Sequence, residues 1–172
     1  PGGGSFTLGA SAGGSLRFGG IAPSVVMQSS GNAMVATRID VTAATALSLQ
    51  PAFGGTVGFN QPIHSAAGLS ISSTGGVVSL QAENRIRGTV SVVDAGLNLA
   101  RVSALAGATL TANGASLSIG SNTFATAPNR PPFFTNAITT TGSGLFLGDR
   151  RSFTLTGPIS GGGGVTVAPS SL

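Results

Sequence analysis

Very few side chains in this sequence can take part in acid–base, nucleophilic or ion-pairing chemistry. The 172 residues include eight Arg, four acidic residues and one His, with no Lys and no Cys. Without Lys, the chain lacks a P-loop lysine and a Schiff-base amine. Without Cys, it lacks a thiolate nucleophile, a zinc–cysteine site and an iron–sulfur cluster. Composition therefore excludes these classes of site.

The four acidic residues and the single histidine are the remaining candidates for catalysis. A polysaccharide hydrolase needs clustered carboxylates, and Glu83 and Asp94 would come close if they lay on adjacent faces of a coil. Solvated turn positions are the simpler interpretation of these two residues and of Asp40 and Asp149. His64 cannot by itself make a multi-histidine metal site, and the sequence contains no complete Gly-x-Ser-x-Gly nucleophile elbow. We therefore expect no catalysis, no metal and no cofactor.

Two pairs of arginines are candidates for binding. Arg85 with Arg87, and Arg150 with Arg151, would suit an anionic polysaccharide or lipopolysaccharide, because guanidinium groups bind carboxylate and phosphate oxygens. The alternative is that these arginines are ordinary solubilising charges on a surface that carries few others. The net charge of +4 is not gathered into one block, so we expect no specific nucleic-acid binding.

Apolar and polar residues alternate over four to six positions in many parts of the chain, and the runs end at Gly, Asn, Asp or Ser. Alternation with a period of two is the pattern of a β-strand with one buried face. Clear examples are residues 15–18, 45–49, 89–92, 108–111 and 153–156. No window of helical length carries apolar residues at helical spacing without an intruding Gly or Pro. The sequence therefore predicts an all-β protein.

A Gly-Leu-x-aliphatic motif recurs at residues 68–71, 96–99 and 144–147, with irregular spacing. Degenerate repeats with short strands favour a β-solenoid over the alternative, a β-sandwich. Outward Ser and Thr side chains are expected to stack as ladders between coils. The Thr-x-Thr pairs at residues 109–111 and 154–156 are not expected to share one register.

One Pro-rich stretch, residues 121–136, interrupts the alternation. Proline cannot donate to a strand ladder, so we expect this stretch to leave the rod as a projecting loop. Apolar side chains in such a loop are costly to leave in water. We therefore expect contacts with the rod or with a neighbouring molecule through Phe124, Arg130, Phe133 and Phe134.

The segment from Asn84 to Val92 reads Asn-Arg-Ile-Arg-Gly-Thr-Val-Ser-Val, and similar strands follow at residues 96–99 and 103–105. This pattern resembles a repeat of filamentous-haemagglutinin-type exoproteins. Residues 153–162 resemble the same repeats and the strand repeats of autotransporter passengers. The resemblance implies a right-handed parallel β-helix, export across a bacterial outer membrane, and a role in adhesion or filament building.

The alternation within the Asn84 segment agrees with a β-helix. Ile86, Val90 and Val92 are expected to face the interior. Gly88 is expected at a bend or bulge. The residues expected to face water are Arg85, Arg87, Thr89 and Ser91.

These observations predict one β-solenoid segment over residues 1–172, belonging to a longer or polymerising chain. No apolar stretch is long enough to span a bilayer. We expect a structural or adhesive module without catalysis, located on the bacterial cell surface or outside the cell. Its partners would be other copies, end to end or side by side, or flanking repeats, with a host surface or anionic polysaccharide as a further partner. The alternatives are a carbohydrate-active β-helix enzyme and a phage or surface-fibre segment.

Overall fold

A computed structural model describes residues 4–9, 13–105, 107–120, 133–148 and 154–168 of the chain. Apart from one short 3-10 turn, Val102–Leu105, the regular structure in these residues is all β. Within them, no helix is long and apolar enough to cross a membrane. The strands are β1 Ser5–Leu8, β2 Ser15–Phe18, β3 Ser24–Val26, β4 Asn32–Val35, β5 Arg38–Val41, β6 Leu47–Gln50, β7 Thr56–Phe59, β8 Ile63–Ser65, β9 Leu69–Ser72, β10 Val77–Leu80, β11 Arg85–Ile86, β12 Gly88–Val93, β13 Gly96–Leu99, β14 Ala108–Ile119, β15 Phe133–Phe134, β16 Ile138–Leu147, β17 Thr154–Leu155, β18 Ile159–Gly161 and β19 Val165–Val167.

The strands wind into a coil with three faces, and the strand pairs of the described residues are parallel. The first face stacks β1, β4, β7, β10, β13, the second halves of β14 and β16, and β19. The second face stacks β2, β5, β8 and β11, with β15 and β17 further along the rod. The third face stacks β3, β6, β9, β12, the first halves of β14 and β16, and β18. The predicted β-solenoid is therefore confirmed; the alternative, a sandwich, is built from antiparallel sheets.

Coil length varies along the rod. On the first face Asn32 pairs with Thr56, Thr56 with Val77, and Val77 with Gly96, so these coils take 24, 21 and 19 residues. The coil that begins at Ser116 takes 30 residues before its strand partner is reached. This variation in connecting segments explains the irregular spacing of the sequence repeats.

The last residues of the predicted projecting loop, residues 121–136, belong to the rod. Phe133 and Phe134 form β15 and pair in register with Thr154 and Leu155 of β17. Strand pairing of both residues and burial of Phe134 hold them in the coil, so the projecting segment cannot extend to residue 136. Residues 121–132 lie outside the described residues.

Columns of apolar side chains, one from each coil, fill the interior. Leu47, Leu69, Val90, Leu110 and Ile138 follow one another on the third face, and each is at most 1% exposed. Stacked strands lie about 4.8 Å apart, so these side chains pack directly on those of the next coil. Each such burial contributes about 2 kcal/mol relative to exposure.

The Asn84 segment lies as its alternation predicted. Ile86, Val90 and Val92 are buried in the core, and Arg85 and Arg87 are exposed. Gly88, the first residue of β12 at the corner between the second and third faces, has a φ of +79°. Glycine adopts this left-handed conformation without steric cost, which allows the sharp bend there.

The outward side of the third face carries an unbroken column of hydroxyl groups, which confirms the predicted stacking of Ser and Thr. The Thr-x-Thr pairs at 109–111 and 154–156 do not share one register, as expected, because Thr154 lies in β17 on the second face and the pair at 109–111 lies in β14 on the third face. Strand pairing places the pair at 109–111 beside residues 89–91, whose outward side chains are also Thr and Ser. Along the rod the column runs through Ser24, Ser48, Ser70, Ser91, Thr111, Thr139 and Ser160.

The corner from the third face to the first face needs a left-handed backbone. Asp94, Gly114 and Gly142 lie at this corner in successive coils, with φ of +49°, +59° and +50°. Glycine takes this conformation freely, and aspartate tolerates it better than most residues. Because the turn at Gly114 takes a single residue, β14 continues from one face to the next.

Asn84 occupies an inward position that is apolar in earlier coils, where Ile39 and Ile63 stack on the same face. Its Oδ1 accepts the backbone N–H of Ile63 at 2.8 Å. Its Nδ2 donates to the carbonyl oxygens of Ala82 at 3.0 Å and Ala104 at 2.9 Å. This buried amide therefore ties three successive coils together, and its hydrogen bonds offset the cost of burying it.

The apolar columns continue to both ends of the described rod and are exposed there. Phe6 is 59% exposed, although it shares a column with Val57 and Val78, which are 2% and 0% exposed. At the other end Val167 follows Leu147 in its column and is 69% exposed. Side chains that belong to the core thus face solvent at the first and last coils.

Candidate functional site

Four ionisable side chains form one column on the outward side of the second face. Arg17 pairs in register with Asp40, Asp40 with His64, and His64 with Arg85. In each strand the flanking residues point inward, because side chains alternate along a strand. The column therefore crosses four successive coils. This charged column is the candidate functional site.

Asp40 is the anionic centre of the charged column. The guanidinium of Arg38 donates to its Oδ2 through Nη2 at 2.9 Å and Nε at 3.1 Å. His64 Nδ1 lies 3.3 Å from its Oδ1. Partial burial raises the pKa of Asp40, but hydrogen bonds from Ser15 and Arg38, together with charge interactions with Arg38 and His64, outweigh burial, and the net pKa is lowered. Asp40 is therefore a carboxylate at neutral pH.

A second ion pair, between Glu83 and Arg101, lies at the edge of the same face, and Glu83 is two coils beyond Asp40. Arg101 Nη1 is 3.7 Å from Glu83 Oε1, and the Ser103 hydroxyl donates to the same oxygen at 3.3 Å. Both charged side chains are about half exposed or more. An exposed ion pair of this kind contributes about 0–1 kcal/mol to stability. Because the pair is this weak, another anion can replace Glu83 as the partner of Arg101.

Two adjoining grooves run over the charged column, with volumes of about 800 and 450 Å³. They share Arg38, His64 and Arg85, so they form one continuous surface. The larger groove adds Arg101, Glu83 and neutral polar side chains, and the smaller one adds Arg17, Asp40 and Arg87. Five of the eight arginines in the sequence line this surface.

Cations outnumber anions on this surface. With His64 neutral, the five arginines and the two acids Asp40 and Glu83 give a net charge of +3. Arg17, Arg85 and Arg87 have no carboxylate within 4.0 Å among the described residues. Three guanidinium groups are therefore available to an external anion.

The arginine pairs predicted from the sequence are only partly within the described structure. Arg85 and Arg87 are exposed on the second face, and both line the smaller groove. Arg150 and Arg151 lie outside the described residues, as do Phe124 and Arg130.

The two phenylalanines predicted as contact residues differ in exposure. Phe133 is 51% exposed, and its side chain is available to a partner. Phe134 is fully buried, because alternation along β15 turns it into the core. Phe134 is therefore a core residue and not a surface contact.

The acidic residues of the described chain lie apart. Glu83 precedes β11 at one corner of the coil, whereas Asp94 lies at the corner between the third and first faces. Asp40 and Glu83 line different grooves. No group of three metal-ligating side chains occurs in the described part of the chain. No hydrogen bond there joins the His64 ring to a serine hydroxyl.

Comparison with protein-family models, with curated proteins and with solved structures gives no match. The resemblance to filamentous-haemagglutinin-type repeats therefore stays a prediction.

Sequence reasoning identified Arg85 and Arg87 but missed their neighbours on the second face. The signal was present as a period, since Arg17, Asp40, His64 and Arg85 are separated by 23, 24 and 21 residues. These intervals match the length of a coil. Without known coil boundaries, the interval could not be distinguished from chance.

Proposed function

We propose that this chain is a structural and adhesive β-solenoid module of an exported bacterial surface protein or extracellular filament. The observation that carries the proposal is the exposure of the apolar columns at both ends of the described rod, where Phe6, Leu8, Val165 and Val167 face solvent. A further coil placed on either end would bury these side chains.

The strand edges support the same function. β1 pairs with β4 on one side, and β19 pairs with β16 on one side. Unpaired edge strands present free N–H and C=O groups that recruit other strands. Because the strands within each face are parallel, an added coil would continue the existing hydrogen-bond ladders without changing direction. The free N–H and C=O groups of these edge strands would pair equally well with flanking coils of a longer chain or with a second copy of this chain.

The proposal predicts that the isolated 172-residue chain assembles end to end. Sedimentation velocity and negative-stain electron microscopy should show rods that lengthen with protein concentration, because head-to-tail contacts do not close. A folded monomer that stays dispersed at high concentration would overturn the self-assembly predicted here.

A matched pair of variants tests the contact surface. V167K places a charge in the exposed core column, whereas T166K places the same charge on the outward side of the same strand. We expect V167K to shorten the rods much more than T166K does, because a charge buried at a coil junction carries a desolvation cost. Equal rod lengths for the two variants would contradict a junction built on the core columns.

A further inference from the structure

We propose that the grooved second face binds an acidic polysaccharide whose negative charge is carried by carboxylate groups. This inference deepens the adhesive part of the proposed function by naming its ligand class. It does not depend on end-to-end assembly, because the face lies along the side of the rod.

The spacing of the unpaired cations suits an extended polymer. Arg17 and Arg85 lie in one column three coils apart, which is about 14 Å at the usual strand spacing of about 4.8 Å. Arg87 follows Arg85 by two residues, on the same outward side. A chain that runs along the rod would therefore meet guanidinium groups at separate points, each able to bind a carboxylate in a bidentate manner.

Neutral polar groups lie between these cations. Asn60, Gln81 and Ser103 line the larger groove together with His64. Amide, hydroxyl and imidazole groups both donate and accept hydrogen bonds, so they suit the hydroxyl groups of a sugar ring. The groove thus combines sparse positive charge with the hydrogen-bonding groups that a carbohydrate requires.

The same surface suits other polyanions less well. No Phe lines either groove, so the stacking platform typical of single-stranded nucleic-acid sites is missing from the described grooves. A duplex presents one phosphate charge about every 1.7 Å, and Asp40 and Glu83 would repel so dense an array. Large apolar side chains that would enter a lipid headgroup layer are also missing from the grooves, where Val41 is the bulkiest aliphatic residue.

The test uses the full chain with polygalacturonate as the probe, measured by titration calorimetry at several salt concentrations. We expect binding that weakens as salt is added, because exposed ion pairs are screened. The R85Q/R87Q variant should bind about tenfold more weakly, which corresponds to about 1.4 kcal/mol, because it removes two exposed ion pairs with the polysaccharide.

The matched control is Q50E/T141E. Both positions are exposed on the third face, and this variant lowers the net charge by two units, as R85Q/R87Q does. It should retain most of the parent affinity if the site is local to the second face. An equal loss in the two double variants would overturn the site and indicate a response to net charge alone.

Comparison ligands decide the class of polyanion. Equal binding to neutral dextran, or tighter binding to duplex DNA or to phosphatidylglycerol vesicles, would overturn the assignment to acidic polysaccharide. Unchanged binding by R85Q/R87Q would overturn the site itself. Sedimentation of the same variants separates this result from rod assembly, since neither double variant changes an end coil.

Discussion

At the scale of single residues, polar side chains in the described rod serve two different purposes. Asn84 is buried at an otherwise apolar position and satisfies backbone groups in three coils. Asp40, on the outer surface, gathers Arg38 and His64 around one carboxylate. The inward amide of Asn84 stabilises the stack. The outward carboxylate of Asp40 pairs with Arg38 and His64, and it is not within 4.0 Å of the arginines of the charged column.

The Asn84 bridge predicts a large loss of stability in N84A. Removing the amide leaves the Ile63 N–H and the Ala104 carbonyl without these hydrogen bonds inside the rod, which we expect to lower the free energy of unfolding by about 3 kcal/mol. The measurement is the midpoint of urea unfolding followed by circular dichroism.

N98A is the matched control for this prediction. Asn98 is half-buried on the outward side of β13, so its replacement should change the free energy of unfolding by less than about 1 kcal/mol. Similar midpoints for N84A and N98A would show that the bridge does not stabilise the coil stack.

At the scale of elements, the residue at the corner between the third and first faces determines how the chain turns from one face to the next. The left-handed corner holds Asp94, Gly114 and Gly142 in three successive coils. A side chain at Gly114 would also approach the carboxylate of Asp94 in the coil below. The change of strand direction at Gly114 therefore depends on a backbone that can adopt a positive φ.

The corner predicts that G114A destabilises the rod by about 1–2 kcal/mol, since an L-residue is strained at this φ. D94G should be neutral or stabilising, because it relieves the same strain in the preceding coil. G148A is the control, because an added methyl group there meets no atom within 4 Å and φ is not positive. Thermal unfolding would measure all three, and a G114A that is as stable as G148A would contradict this account.

At the scale of the whole molecule, the rod is a one-dimensional stack in which each coil contacts only its neighbours. Stability in such a stack rises with the number of neighbours that each coil has. The central strands β7 to β10, β12 and β13 pair with a strand on both sides, whereas β1 and β19 pair with one described strand each. The ends are therefore the least stable part of the isolated rod and the part that gains most from another coil.

Hydrogen exchange should show this gradient. In dilute protein, the amides of β9 and β12 should be protected to the level of global unfolding, and those of β1 and β19 should exchange much faster. Raising the protein concentration should protect the end strands if rods join end to end. Uniform protection in dilute protein would contradict the one-dimensional stack.

Strand alternation in the sequence was sufficient to predict the all-β class and the inward residues Ile86, Val90 and Val92. Alternation is a local property, because one residue in two faces the core in any strand. The absence of Lys and Cys was equally sufficient to exclude several classes of site, since composition does not depend on the fold.

Which residues share a face was decided only by the tertiary structure. Arg17, Asp40, His64 and Arg85 are more than twenty residues apart in sequence, and they meet because strand pairing sets the length of each coil. Strand pairing between coils also aligns the hydroxyl column and places Phe134 in the core. Register between coils depends on every connecting segment that lies between two strands, so alternation within one strand cannot determine it.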